Sequence, residues 1–392
     1  MKQLTRTAAG IGDTHVSLAN RWEEGNRILD FFVEDIRRRQ VGVVLHTGDV
    51  FDKLSRPDER LQVARFAQRS AGVAPNVWVR GNHDAPHDLS IFDSQFLRTD
   101  HPLIIEESAG VYDVGDFLVG AVAWPKKAWL LAEQDHADER EALQGILRGI
   151  SAWEAIAENR IAHPADMPRK PRILAMHGMI SGAQTSLGQP LVGCDMEIAL
   201  DDLALAKADL ILLGHIHLPQ DYIVNGAPVL YTGSSRRTAY GEVEEKSYVL
   251  ATFTSDGDDW KVAAERIPLP ATPMYLIDGE YRDNQLILDA PEAQYVISGS
   301  DVRLRYRCTS QTRDAARAAA ERTRDQYLQN GAANVMVDEQ LTVVSTARAP
   351  EVARATTLPE KLRMLRAARG ETLDEATEQR LNGRLVDLES SI

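Results

Sequence analysis

Short β-branched runs alternate with stretches of helical spacing over the first two-thirds of the chain, and this alternation limits the fold more than any other feature. Residues 41–45 form such a run and read as a buried parallel strand. Before it, Ile28, Leu29, Phe32, Val33 and Ile36 recur on one helix face. After it, residues 60–68 are again helical in pattern. Further strands are expected at 7–11, 76–79, 103–106, 117–124, 172–176 and 209–213, then at 222–224, 229–232, 248–253 and 260–267. The expected class is α/β, with helices covering a central sheet or pair of sheets. Residues 126–161 read as a helix-rich insertion packed through Trp129, Leu130, Leu143, Ile146 and Leu147.

A Pro-rich stretch from Pro268 to Pro273 marks an expected domain boundary. Beyond it, a strand at 302–306, a helix at 313–328 and strands at 334–337 and 341–344 suggest a small α/β unit. Two short amphipathic helices separated by Gly370 follow over 358–388. The expected organisation is therefore 1–270, 274–356 and 357–392. The first twenty residues hold no continuous apolar run, and no apolar stretch is long enough to cross a bilayer. The expectation is a cytoplasmic protein with no membrane contact.

The net charge of −14 argues against a chain coated in positive charge, though a local basic patch can sit on an acidic body. The two cysteines, Cys194 and Cys308, cannot build a disulfide framework or a thiolate metal site. Any metal must use His, Asp, Glu or Asn.

Five short motifs lie at the ends of expected strands: Asp13-Thr14-His15, Gly48-Asp49, Gly81-Asn82-His83-Asp84, His177-Gly178 and Gly214-His215-Ile216-His217. Strand ends of α/β sheets are where ligand sites form. Side chains two apart in Asp-x-His or His-x-His converge on one ion when the backbone is a loop. Imidazole and carboxylate ligands without thiolate suit Mn²⁺, Fe²⁺ or Zn²⁺. The donors are numerous enough for two ions, the arrangement that clamps a phosphoryl displacement.

In this order the five motifs resemble the calcineurin-like metallophosphoesterase superfamily. The runs from Leu213 to Gln220, Tyr231 to Glu242 and Gly48 to Asp52 narrow the resemblance to SbcD-type DNA double-strand-break repair nuclease subunits. The resemblance implies a β-sandwich flanked by helices, with a small C-terminal α/β cap and a helical tail. It implies two divalent ions, Mn²⁺ above all. Asp13, His15, Asp49 and His217 would hold one, and Asp49, Asn82, His177 and His215 the other. His83 would face the scissile phosphate and protonate or stabilise the leaving oxygen, oriented by Asp84. The activity implied is exonucleolytic and endonucleolytic hydrolysis of DNA in end processing, repair and recombination. The partners implied are DNA, an SbcC-type SMC-like ATPase docked on the C-terminal helices, and a second copy of the chain. Val16 stands where many members carry glycine.

Arg303, Arg305 and Arg307 alternate along a strand and share one face. Residues 303–324 carry seven arginines against Asp314 and Glu321. This patch reads as a DNA-backbone footprint or as a solvated, ion-paired face. Arg237, after Gly233-Ser234-Ser235, is a further candidate for substrate phosphate or for structural pairing. His46 reads as a packed residue. Two alternatives stay open: the same core acting on nucleotides or phosphoproteins, and a non-catalytic scaffold of the same fold.

Overall fold

The computed structural model describes residues 3–125, 138–153, 168–186, 197–289, 297–342, 352 and 355–389. The expected strands form, and they gather into two sheets. One has the order β14-β13-β1-β2-β3-β4: β1 (Thr5–Ile11), β2 (Val43–His46), β3 (Asn76–Val79), β4 (Leu103–Glu106), β13 (Ser247–Asp256) and β14 (Asp259–Pro268). The other has the order β11-β12-β10-β7-β6-β5: β5 (Ala109–Val114), β6 (Phe117–Val122), β7 (Arg172–His177), β10 (Leu210–Gly214), β11 (Gln220–Val224) and β12 (Ala227–Tyr231). The short strands β8 (Met179–Ile180) and β9 (Glu197–Ile198) pair with each other.

The inner strands are apolar throughout because both faces are covered. In β2, Val43 and Leu45 pack with Phe117, Val119, Ile173 and Leu212 between the sheets. Val44 points the other way, onto Ile28, Phe32, Val33 and Phe66. Those residues come from α1 (Trp22–Arg39) and α2 (Pro57–Ala71) on the outer face. Pro57 opens α2, and the Glu59 carboxylate reaches back to the Arg56 amide at 2.7 Å. On the far side, Leu143 and Leu147 of the helix Glu139–Ile150 pack with Trp153, Leu174 and Leu213. The layering is helix, sheet, sheet, helix. Within the insertion, Trp129 and Leu130 lie outside the described residues.

Neighbours β1, β2, β3 and β4 run parallel, as do β6, β7, β10 and β12. Parallel strands deliver their C-terminal ends to one edge. Three of the five motifs follow β1, β2 and β3 of one sheet and two follow β7 and β10 of the other, all at C-terminal strand ends.

The C-terminal segments differ from expectation in detail. A hairpin of β15 (Met274–Arg282) and β16 (Gln285–Leu288) was not legible. Its turn residues Asp283 and Asn284 both adopt positive φ, the geometry of a tight hairpin turn. Where two strands were expected at 334–337 and 341–344, one strand, β18 (Asn334–Thr342), runs on through the polar Asp338-Glu339-Gln340, and residues 343 and 344 lie outside the described residues. With β17 (Asp301–Thr309), these strands form a sheet of order β16-β15-β17-β18. Two helices end the chain, Leu358–Arg369 and Glu375–Glu389, with Gly370 as the left-handed cap between them. By contact the chain divides into two units: Met1–Asp278 with Ala290–Leu304 and Thr323–Val337, and Gly279–Asp289 with Arg305–Arg322 and Asp338–Ile392. No helix among the described residues is long and apolar enough to cross a membrane.

Candidate metal centre

The loops after β1 and β2 are laced together by backbone bonds: the Asp13 amide donates to the Gly48 carbonyl at 2.9 Å and the His15 amide to the Asp49 carbonyl at 3.0 Å. Asp13, His15, Asp49 and His215 all adopt left-handed or related positive-φ backbone. Such geometry costs free energy and clusters where a ligand has to be met. Two glycines make the loops close enough. A Cβ on Gly48 would lie 2.3 Å from His177 Nδ1, and one on Gly81 would lie 2.1 Å from Asp49 Oδ1.

These loops bring together all seven side chains singled out as ligands. Ligand atoms of Asp13, His15 and His217 lie within 4.8 Å of one another, as do those of Asp13, Asp49 and His177. Asp49 sits between the groups, with Oδ2 3.9 Å from His15 Nε2 and 3.5 Å from His177 Nε2. Asn82 Oδ1 lies 2.8 Å from His177 Nε2 and 3.1 Å from His215 Nδ1. The Asp13 carboxylate accepts the His215 amide at 3.0 Å.

The donor set fits a divalent cation. Burial pushes His177 down to about 3, and burial with the neighbouring His217 pushes His15 well below its ordinary range. Both rings are neutral at pH 7. His177 Nδ1 donates to the Thr47 carbonyl at 2.7 Å, so its Nε2 carries a lone pair facing the Asn82 oxygen. His15 Nε2 likewise lies 3.0 Å from His217 Nε2. Burial and the Asp49 charge push Asp13 well above the usual carboxylate range. Lone pairs and carboxylates packed this tightly repel one another, and a buried cation is what reconciles them.

His83 stands beside the cluster, its ring 5.0 Å from that of His15. Its amide donates to Asp49 Oδ1 at 2.8 Å, and its Nδ1 donates to the Asp52 carbonyl oxygen at 2.7 Å. The expectation that Asp84 orients this ring is corrected. The buried Asp84 carboxylate instead accepts the backbone amides of Phe51 and Gly81, both at 2.9 Å, and of Val50 at 3.3 Å. Through these amides it ties the β2 loop to the β3 loop, while the His83 ring donates to the Asp52 carbonyl.

Arg237 also moves out of the substrate set. Its guanidinium donates to the carbonyls of Glu242 at 2.7 Å, Glu244 at 2.6 Å and Thr272 at 3.1 Å. Those bonds consume its donors in a buried loop. His46 is packed as expected, against Trp78, with its Nδ1 accepting the Gly48 amide at 3.2 Å.

Five residues near the site carried no expectation. Asp52 lies 3.7 Å from His15 Nδ1 through Oδ1 while its carbonyl holds His83. Glu242 accepts Thr238 Oγ1 at 2.7 Å and lies 3.6 Å from His217 Nδ1; Thr238 Oγ1 is 3.2 Å from the same nitrogen. The buried Lys246 holds Glu242 at 2.6 Å. Trp124 lays its half-buried ring 4.8 Å from that of His215. Asp52 and Glu242 close two of the quoted sequence runs, which was the available signal.

A family profile of calcineurin-like phosphoesterases matches residues 7–219, more than half of the chain. The chain belongs to the calcineurin-like phosphoesterases. Two curated relatives are each named as the SbcD component of the nuclease SbcCD. That of Escherichia coli K12 is 27% identical over 276 residues, 67% of each chain. That of Staphylococcus saprophyticus is 20% identical over 272 residues, again 67% of each. Among solved structures, a Plasmodium protein titled GAP50, an anchor in the inner membrane complex, is similar with a TM-score of 0.42 at 13% identity, over 68% of this chain and 89% of its own. As a calcineurin-like phosphoesterase, the protein is a metal-dependent hydrolase, and the cluster of carboxylates and imidazoles is its metal site.

In this phosphoesterase Arg303, Arg305 and Arg307 do share one face of β17, since Val302, Leu304, Tyr306 and Cys308 fill the other. Arg303 lies over the Tyr240 ring at 5.9 Å, and Arg307 pairs with Asp289 at 3.4 Å. Cys194 lies outside the described residues.

Proposed function

We propose that this phosphoesterase is the nuclease component of a DNA end-processing complex, hydrolysing DNA phosphodiester bonds as an exonuclease and endonuclease. The observation that carries the reading is the convergence of Asp13, His15, Asp49, Asn82, His177, His215 and His217 after parallel strands of both sheets, in a chain similar to the SbcD component of the nuclease SbcCD. Asp13, His15, Asp49 and His217 would hold one divalent ion, and Asp49, Asn82, His177 and His215 a second, with Mn²⁺ the proposed metal. Bound there, such ions polarise phosphoryl oxygens and lower the pKa of water to make a nucleophile at neutral pH.

The chain's own residues do the rest. Thr47 and Glu242 hold the far nitrogens of His177 and His217, fixing which ring atom faces the metal. The Asp52 carbonyl fixes His83 through Nδ1, which leaves Nε2 free to face the leaving oxygen. The Asp84 carboxylate keeps the loops of Asp49 and His83 in register. Residues 274–356 act as a DNA-binding cap in this reading, with Arg303, Arg305 and Arg307 on the phosphate backbone. Residues 357–392 dock an SbcC-type SMC-like ATPase, and the working form in the cytoplasm is a homodimer.

The test is digestion of linear duplex DNA with Mn²⁺ by the wild type and by His83→Gln. The reading expects the variant to bind metal normally and to cut far more slowly. Equal rates for the two proteins would remove His83 from the chemistry, and no digestion by the wild type with its ATPase partner present would remove the nuclease reading.

A further inference from the structure

Behind the Asp13-Thr14-His15 loop, a small pocket is lined by Ser17, Asn20, Trp22, Gly25, Asn26 and Arg236. Arg236 is 1% exposed. Its guanidinium spends two arms on the loop: Nε donates to the Thr14 carbonyl at 3.4 Å and Nη2 to the His15 carbonyl. The third arm, Nη1, is buried and meets no hydrogen-bond partner. The first turn of α1 forms the opposite wall. Its N-cap, Arg21, sits in left-handed conformation and offers the first-turn amides no side-chain acceptor.

Two sets of donors therefore border this pocket, and Nη1 meets no hydrogen-bond acceptor in it. One is a full positive charge in a dry setting, where an unmet donor is costly. The other is the positive end of an eighteen-residue helix. The nearby Glu24 carboxylate is engaged by Arg21 and by the Thr272 amide. The cavity measures about 10 Å³, the room of one water-sized centre. That excludes phosphate, sulfate or a carboxylate-bearing metabolite.

We infer that this pocket binds one small monovalent anion of halide size, held between Arg236 Nη1 and the N-terminus of α1. The anion fixes the guanidinium, and the guanidinium fixes the carbonyls of Thr14 and His15 in their strained loop. Halide binding and divalent-metal binding are thereby coupled; this coupling rests on the metal reading above, whereas the anion site does not.

The experiment uses the full chain. Crystals grown in sodium bromide should show an anomalous peak in contact with Arg236 Nη1. In solution, at constant ionic strength, the metal-free protein should melt higher in chloride than in gluconate, with a saturable dose dependence. Mn²⁺ affinity measured by calorimetry should be about fivefold tighter in chloride, the low end of coupling between sites. Arg236→Gln also loosens the loop itself, so the sharper variant is Asn26→Leu, which fills the pocket from the side of α1. It should fold, lose the bromide peak and lose the halide dependence of melting. A water alone beside Nη1 in bromide, or identical melting in the two salts, overturns the inference. A bromide peak in a protein that binds no Mn²⁺ in either salt upholds the anion site and removes only the metal reading.

Discussion

The loops after β1, β2 and β10 bury Asp13, His15, Asp49, His215 and His217, whereas the helices Leu358–Arg369 and Glu375–Glu389 bury no residue at all. In the loops, polar groups are taken from water and crowded until only a cation can reconcile them. In the helices, apolar groups stay half in water: Leu358, Leu362 and Leu365 are half-buried, and Val386 and Leu388 are 52% and 54% exposed. The loops store strain that a ligand repays, and the helices hold apolar surface that their own unit does not consume. Changes in the loops should therefore move metal binding and rate, and changes in the helices should move neither.

The largest expected effect is at His83. Replacing it with Gln should lower the hydrolysis rate by about 10²–10⁴-fold, the usual contribution of a positioned acid or base. Mn²⁺ binding and melting temperature should stay near wild type, since the ring only borders the ligand cluster. Loss of metal binding in the same variant would make His83 a ligand instead.

Next comes the core on which the loops stand. Leu213 is fully buried in the outer core of the second sheet, one residue before Gly214 and the His-x-His motif. Leu213→Ala should cost about 2–5 kcal/mol in chemical denaturation. A cost below about 1 kcal/mol would mean that the loops do not depend on this packing.

Glu242 tests the support of His217. Glu242→Gln should weaken metal binding by about 10–100-fold. It leaves the buried Lys246 with one carboxylate, Glu244, in place of two. The Asp substitution should recover less than full affinity, because the shorter side chain draws back from His217 Nδ1. Unchanged affinity in both would reduce Glu242 to a loop anchor.

The alternation of strand and helix, and the five motifs at strand ends, were readable because each is local: a run of Val and Leu, or a ligand pair two residues apart. The two-sheet layering adds the long-range part. The missed elements were missed for the same physical reason. Ala109–Val114 is broken by Gly110 and Asp113 and Gln285–Leu288 is only four residues long, and they become strands by pairing with β6 and β15. The roles of Asp84 and Arg237 were not legible, because a carboxylate beside a motif looks catalytic and a guanidinium reads equally as a phosphate contact or a structural pair until their backbone partners are known. Asp52, Thr238 and Trp124 act only through the three-dimensional neighbourhood of His15, His83, His217 and His215.

His46 offers a pH test of the loops. Burial pushes it down to about 3, against an ordinary value of 6.5. A depressed imidazole stays neutral in the fold while the unfolded chain takes up the proton below its ordinary value. Stability from this group is therefore complete above pH 6.5 and is lost as pH falls toward 3. The loss is about 2 kcal/mol at pH 5. His46→Gln should flatten the fall in stability between pH 7 and pH 5 by that amount. An unchanged slope would assign the proton uptake to other groups.

The smallest effect belongs to the tail, and its smallness is the point. Leu362 and Leu381 lie at half-buried positions in helices that bury nothing fully. Leu362→Ala and Leu381→Ala should each change the stability of the isolated protein by no more than about 1 kcal/mol, well below the cost at Leu213. The rate on a chromogenic phosphodiester should not move, because neither residue belongs to the metal cluster. If the helices dock an ATPase coiled coil, the same substitutions should release it in a pull-down, since half-exposed leucines gain most when a partner covers them. A cost near that of Leu213→Ala would show that the chain already uses these leucines for itself, and the contrast between loops and tail would fail there.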